Sequence, residues 1–221
     1  MKKNEQNFIY NEPEYNLILD ADSYKNDHSR MLKDNVEYIQ SSVIPRACKL
    51  SHHTTTVVPF GYIYAINKYL TKQITIEQIN EAEMMINASG YNFDRSRWQY
   101  ILDEHDGFLP IVIHAIPEGT IVPIGVPIVR IENTDKKCAW LVSYIETMLL
   151  RSSWYGTTVA TNAYEIKKLL DEYSLRHTNG IFNTAFSLHN FGARGATSYE
   201  AEILSSMAHA ISFSGSDSLQ A

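Results

Sequence analysis

The sequence predicts an α/β chain: an α+β domain of mixed sheet and helices over residues 1–180, then a strand–helix–strand unit over residues 181–221. Three observations carry that prediction. Apolar residues recur at helical spacing through residues 62–86, and β-branched runs broken by Pro and Gly fill residues 109–133. Beyond the polar stretch His177-Thr178-Asn179-Gly180, two short apolar runs flank a helical one, the pattern of two parallel strands joined by a helix.

Taken in order, Tyr15-Asn16-Leu17-Ile18-Leu19 reads as a short strand, and Asp22-Ser23 as N-cap residues of a helix from Tyr24 to Met31. Val36–Arg46 and Thr54–Val58 are rich in β-branched residues and read as strands. Tyr62, Ala65, Ile66, Tyr69 and Leu70 mark one amphipathic helix; Ile76, Ile79, Ala82, Met85 and Ile86 mark a second. Asp94 is placed to cap a third helix through Trp98, Ile101 and Leu102, with Gly107 at its exit. A compact β unit spans Leu109–Asn133, and two long helices follow, from Cys138 through Leu150 and from Thr157 through Tyr173. The closing unit reads as a strand near Phe186-Ser187-Leu188, a helix from Ser198 to His209 and a strand at Ile211-Ser212-Phe213.

Composition narrows the function. The chain has 221 residues, 44% of them apolar, enough for a substantial core. Its formal charge is -6 and its 19 basic residues are scattered, which argues against nucleic acid as a partner. Residues 1–16 lack a signal-peptide apolar run, and no stretch approaches the ~20 apolar residues of a membrane span, so no membrane partner is expected and the cytoplasm is the expected location. Cys48 and Cys138 are far apart and make no metal spacing, which suits free thiols in a reducing compartment. His52-His53 has no ligand spacing around it, Asp103-Glu104-His105-Asp106 reads as a solvated helix end, and no protein-bound metal is expected. His189 reads as a structural histidine on a buried strand, with no proton to transfer.

The candidate site lies near the C-terminal end of the sequence. Phe191 offers a flat apolar face, Arg194 a planar fork of donors suited to phosphate, and Asp217 an acceptor for an N–H group. Together they suit a flat heteroaromatic amide held near a phosphate. Individually, Phe191 would read as core, Arg194 as a surface ion pair, Asp217 as a loop cap and Tyr24 as an ordinary helix residue.

A colinear series changes that balance. It begins with Asp22-Ser23-Tyr24-Lys25 and His28, then Phe60-Gly61 and Ile66-Asn67-Lys68-Tyr69-Leu70. It runs on through Asp106-Gly107, Leu109-Pro110-Ile111, Val129–Asp135, Cys138, Trp140, Ile145-Glu146-Thr147 and Trp154-Tyr155, with Thr158-Val159-Ala160-Thr161-Asn162. It closes with His189, Phe191-Gly192, Arg194-Gly195 and Gly215-Ser216-Asp217. In this series the chain resembles the nicotinamide phosphoribosyltransferases.

The resemblance implies that nicotinamide displaces pyrophosphate from 5-phosphoribosyl 1-pyrophosphate to give nicotinamide mononucleotide for NAD synthesis. It implies substrate-bound Mg2+, the option of ATP coupling, and a homodimer. Phe191 would stack on the pyridine ring, Tyr24 would close its other face from a second subunit, and Asp217 would select the amide over the acid. Arg194 would meet phosphate, Arg46 would lie near the phosphoribosyl group, and Asp22 would stand close to the ring. No catalytic residue is expected within the chain. Two positions depart from the family pattern His-Asp-Phe-Gly-Tyr-Arg-Gly, namely Asn190 and Ala193.

The resemblance also implies that residues 181–221 begin an α/β barrel that runs on past the equivalent of Ala221 and carries the phosphorylated histidine, so that the 221 residues alone are expected to be inactive. The alternatives are a non-catalytic remnant that binds ligand or a dimer partner, and a nicotinate-specific enzyme. With strand edges left unpaired after Gly180, limited proteolysis should cut that segment before the preceding domain.

Overall fold

The structure, a computed structural model, describes residues 14–33, 35–46 and 54–221. Cys48 and His52-His53 lie outside the described residues.

The first apolar run is not a strand. Asn16 accepts from the Ile18 N–H at 3.0 Å and donates to the Gln78 carbonyl at 2.9 Å, which folds Leu17–Leu19 into a 3-10 turn. Helix α1 spans Lys25–Met31 and takes no side-chain cap, because Asp22 and Ser23 direct their side chains to Thr147 and Tyr91. Strand β1 is only Gln40–Val43, since the Asn133 side chain accepts from the Ile39 N–H and donates to the Glu37 carbonyl just before it. Strand β2 is Thr56–Val57 and helix α2 is Tyr62–Ala65, continuing as a π turn over Ile66–Leu70. Helix α3, Ile76–Ala88, begins with a capping box between Thr75 and Gln78.

Helix α4 spans Arg95–Glu104. Asp94 stands at its N-cap as expected, but its carboxylate holds Ser96 at 2.6 Å and Arg97 at 2.9 Å instead of a backbone N–H. Gly107, at φ +78°, turns the chain out of α4, and a Cβ there would meet the Ile74 carbonyl at 2.5 Å.

Strands β3 (Ile111–Ala115), β4 (Val122–Pro123) and β5 (Val129–Asn133) form the predicted β unit. The order β1-β5-β3 makes one antiparallel sheet with β5 central, and β2 pairs antiparallel with β4. Beneath them lies a core of Leu17, Ile18, Tyr62, Ile79, Ile101, Leu141 and Met148, in which Trp98 meets Trp140 and Tyr144 edge-on at 4.8 and 5.0 Å.

Helix α5 is Leu141–Tyr144, and α6 is one continuous helix of 33 residues, Glu146–Thr178, where two had been expected. Gly156 does not break it. The glycine instead lets the chain at Phe60 lie on the helix, where a Cβ would come within 2.6 Å of the Phe60 carbonyl oxygen. Helix α6 ends at Asn179 and Gly180, both with positive φ.

The last unit is shifted from its predicted bounds. Asn183 caps a 3-10 turn over Thr184–Phe186, so strand β6 is His189–Asn190. Helix α7 is Tyr199–Ala210, with the Ser198 hydroxyl accepting from the Ala201 N–H. The His209 carbonyl then accepts from the Ser212 and Phe213 N–H groups, both at 3.1 Å, and this turn delays strand β7 to Gly215–Ser216. Strands β6 and β7 are parallel and form a separate pair, as the strand–helix–strand pattern required, whereas the sheets of the preceding described residues are antiparallel and not mixed as expected. The described residues hold helices with small antiparallel and parallel sheets, and no barrel. Among them no helix is long and apolar enough to cross a membrane.

Replacing Gly156 with Ala should destabilise the protein by about 1–3 kcal/mol in urea unfolding, the usual cost of overpacking, because backbone must move to admit the methyl group.

Candidate functional site

Two groups of predicted site residues emerge. The first stands at the C-terminal ends of β6 and β7. The Asp217 N–H donates to the Asn190 carbonyl at 2.9 Å, extending the parallel pair by one bond, so Phe191 and Asp217 leave adjacent strand ends side by side. Phe191 is 71% exposed, which removes the core reading. Arg194 is exposed on the 3-10 turn Ala193–Gly195 that follows. This end of a parallel strand pair is where open α/β sheets hold ligands.

Two supports of this group have no obvious sequence signal. Asn190 donates to the Ser206 hydroxyl at 2.9 Å and accepts from the Gly192 N–H at 3.0 Å, bracing the turn against α7. Its departure from the family pattern therefore leaves a working strut. His189 is exposed, not buried as expected, on a short strand that pairs only with β7 among the described residues. Its ring stacks on Phe191 at 5.7 Å and lies over Gly215, where a Cβ would come within 2.6 Å of it.

The second group stands where α1 meets the start of α6. Asp22 accepts from the Thr147 hydroxyl at 2.7 Å and from the Tyr24 hydroxyl at 3.2 Å. That bond to a carboxylate, followed by desolvation, raises the Tyr24 hydroxyl above the usual phenol range. The Tyr24 ring is half exposed and lies 5.0 Å from His28. Beside it the buried Lys25 pairs with Glu146 and donates to Ser143 at 3.2 Å. Glu146 itself is half exposed, so the pair is partly solvated, but the buried ammonium has Glu146 and Ser143 as its partners, and through them Lys25 fixes the start of α1 and with it Tyr24. Thr147, Lys25 and Glu146 were legible as motif positions but not as supports, since the contacts join residues far apart in sequence.

Arg46 is exposed beyond the end of β1. No hydrogen bond or ring contact joins the Asp22–Tyr24 group to the Phe191–Asp217 group among the described residues. Of the run Asp103–Asp106, three residues are exposed as expected, while His105 turns inward to Asp135 at 2.8 Å.

Residues 16–113 match the family model of the nicotinamide phosphoribosyltransferase N-terminal domain. A nicotinamide phosphoribosyltransferase from Xanthomonas campestris is 34% identical over 211 residues, covering 93% of this chain. The chain is homologous to the nicotinamide phosphoribosyltransferases over most of its length.

A second nicotinamide phosphoribosyltransferase, from Acinetobacter baylyi, is 32% identical over 213 residues and 90% of this chain. The chain spans 43% of the Xanthomonas relative and 42% of the Acinetobacter one. The crystal structure of human nicotinic acid phosphoribosyltransferase shares the fold, with a TM-score of 0.62 and 18% identity over 90% of this chain and 36% of that one.

Asn190→Ala should cost about 1 kcal/mol in stability and raise amide exchange at Gly192, through loss of two partly exposed hydrogen bonds. Asn190→Asp should leave exchange at Gly192 unchanged, because its carboxylate still accepts there, but should cost about 1 kcal/mol in stability, because it competes with Glu202 for the single Ser206 proton.

Proposed function

We propose that this chain forms the N-terminal part of a nicotinamide phosphoribosyltransferase and supplies the surface that holds nicotinamide for attack on 5-phosphoribosyl 1-pyrophosphate. In that reaction the pyridine nitrogen bonds to C1 of the ribose, the C1–O bond breaks, and pyrophosphate leaves with the electron pair. The product is nicotinamide mononucleotide, an intermediate in NAD synthesis.

The observation that carries the reading is the placement of Phe191, Arg194 and Asp217 at one end of the β6–β7 pair. Phe191 stacks on the ring, a contact of about 0.5–1.5 kcal/mol beyond burial, enough to orient it. Asp217 accepts a hydrogen bond from the carboxamide NH2, whereas nicotinate would bring a second carboxylate against it, a clash of several kcal/mol. Arg194 meets phosphate oxygens with its guanidinium fork. In this reading the three residues orient the substrates and transfer no proton.

Tyr24 covers the opposite ring face from a second copy of the chain. Tyr24 is half exposed and joined by no hydrogen bond or ring contact to the Phe191–Asp217 group among the described residues, which supports a site shared between two copies. Asp22 and Lys25 then position Tyr24, and Arg46 lies toward the phosphoribosyl group.

Mg2+ belongs to the pyrophosphate. Among the described residues the one cluster of potential metal ligands includes a thiol and an imidazole, not the oxygen set that Mg2+ requires, so no step is assigned to a protein-held Mg2+.

The test is formation of nicotinamide mononucleotide by the polypeptide purified at its native length from its source, with Mg2+, 5-phosphoribosyl 1-pyrophosphate and either nicotinamide or nicotinate. Nicotinamide should be the preferred substrate. Asp217→Asn should narrow the preference by about 100-fold or more, and Phe191→Ala should raise KM for nicotinamide by about tenfold. Turnover of nicotinate in preference to nicotinamide would overturn the assignment of Asp217.

A further inference from the structure

A second cluster of reactive side chains lies apart from this surface. His105 follows the last turn of α4, Asp135 precedes a 3-10 turn over Lys136–Cys138, and Cys138 closes that turn. The ligand atoms of the three residues all lie within 4.8 Å of one another, and His105 Nε2 is 2.8 Å from Asp135 Oδ2. Asp135 and Cys138 are neighbours on one turn, but His105 comes from another element, so no motif spacing announces the three together.

We propose that His105, Asp135 and Cys138 bind a zinc ion, with water at the fourth position. The proposal goes beyond the transferase reading, which assigns none of these residues a part in catalysis. One imidazole nitrogen, one carboxylate oxygen and one thiolate sulfur form a donor set that suits zinc and excludes Mg2+. Tetrahedral bonds of about 2.0–2.3 Å place such donors roughly 3.2–3.8 Å apart, so the present 2.8 to 4.8 Å spread needs side-chain shifts of about 1 Å.

The surroundings are those of a built site. The Tyr100 hydroxyl donates to Asp135 Oδ2 at 2.9 Å and the Lys137 N–H donates to Oδ1 at 2.8 Å, so the carboxylate is oriented by two independent donors. His105 and Asp135 are partly exposed, giving an ion a route from solvent, while Cys138 forms a fully buried floor. Cys138 would bind as a thiolate, giving up its proton when the metal binds. The bound ion ties the end of α4 to the connection between β5 and α5.

The experiment uses the tag-free chain, stripped by chelation and titrated with Co2+, whose bond to a thiolate gives a near-ultraviolet charge-transfer band. The expected result is one Co2+ per chain with the sulfur band and tetrahedral visible bands, displaced by Zn2+, and a higher Tm for the zinc form. Cys138→Ser should abolish the sulfur band, and Cys48→Ser should leave it unchanged. His105→Gln, at the partly exposed rim, should weaken Zn2+ binding by at least about tenfold and provides the test if the core variant fails to fold. No sulfur band in the unmodified chain, a band that survives Cys138→Ser or disappears with Cys48→Ser, or unchanged affinity in His105→Gln would overturn the proposal.

Discussion

The close approach of residues 58–61 to α6 is the contact on which the remaining packing depends. Thr157 and Thr161 accept from the backbone N–H groups of Phe60 and Val58 at 3.1 and 3.0 Å, and Gly156 and Gly61 remove the side chains that would hold the two backbones apart. A loop that crosses a helix this closely cannot hydrate its N–H groups, so each must find a protein acceptor. The threonines supply it. Glu118 completes the arrangement from the β unit by accepting from the Gly61 and Ile63 N–H groups at 2.7 and 3.0 Å, and desolvation raises its carboxyl above the usual range despite those bonds. Through this crossing the β2–β4 pair, α2 and α6 become one body, and Ala208 of α7 packs into the same apolar cluster as Val58, Phe60 and Ala160.

The two groups of site residues inherit their positions from that body in different ways. Tyr24 is held by polar contacts, the Asp22–Thr147 bond and the pairing of buried Lys25 with half-exposed Glu146, which select one geometry among many. Phe191 and Asp217 are held by a short parallel ladder and by the Asn190 brace on α7. Neither group relies on apolar burial of the functional side chain. Phe191 and Tyr24 remain exposed, and an aromatic surface left uncovered in this way suits a ligand or a partner.

The sequence was most legible where local signals agreed. The glycine exit at Gly107 and the start of the last helix at Ser198 sit where the residue pattern placed them, because each is settled within a few neighbouring residues. It failed where distant contacts decided the outcome. Leu17–Leu19 looks like a strand until Asn16 reaches Gln78, and the two helices expected over Cys138–Leu150 and Thr157–Tyr173 divide at Ile145 instead, ahead of one unbroken α6. Asp94 and Asp22 were read as helix caps, but arginine, serine, tyrosine and threonine side chains claimed their carboxylates first. For the site, residue chemistry pointed to Phe191, Arg194 and Asp217, and the family resemblance added Tyr24. Their supports at Asn190, Thr147 and Lys25 needed three dimensions. His105 was misjudged for the same reason, since its partner Asp135 belongs to another element.

The unbroken run of α6 has a consequence for how the site tolerates change. Near its start the helix fixes Asp22 through Thr147, and near its end Ser174 donates to the Phe182 carbonyl at 2.8 Å while Asp171 accepts from Thr184, holding the chain that leads into β6. One rod of about 50 Å thus sets both the spacing and the angular phase between the two groups. Adding or deleting a single residue near its middle would rotate one end against the other by about 100°, whereas point substitutions along its exposed face would leave that phase intact. The helix therefore acts as a gear train with a fixed tooth count, open to drift in sequence and closed to drift in length.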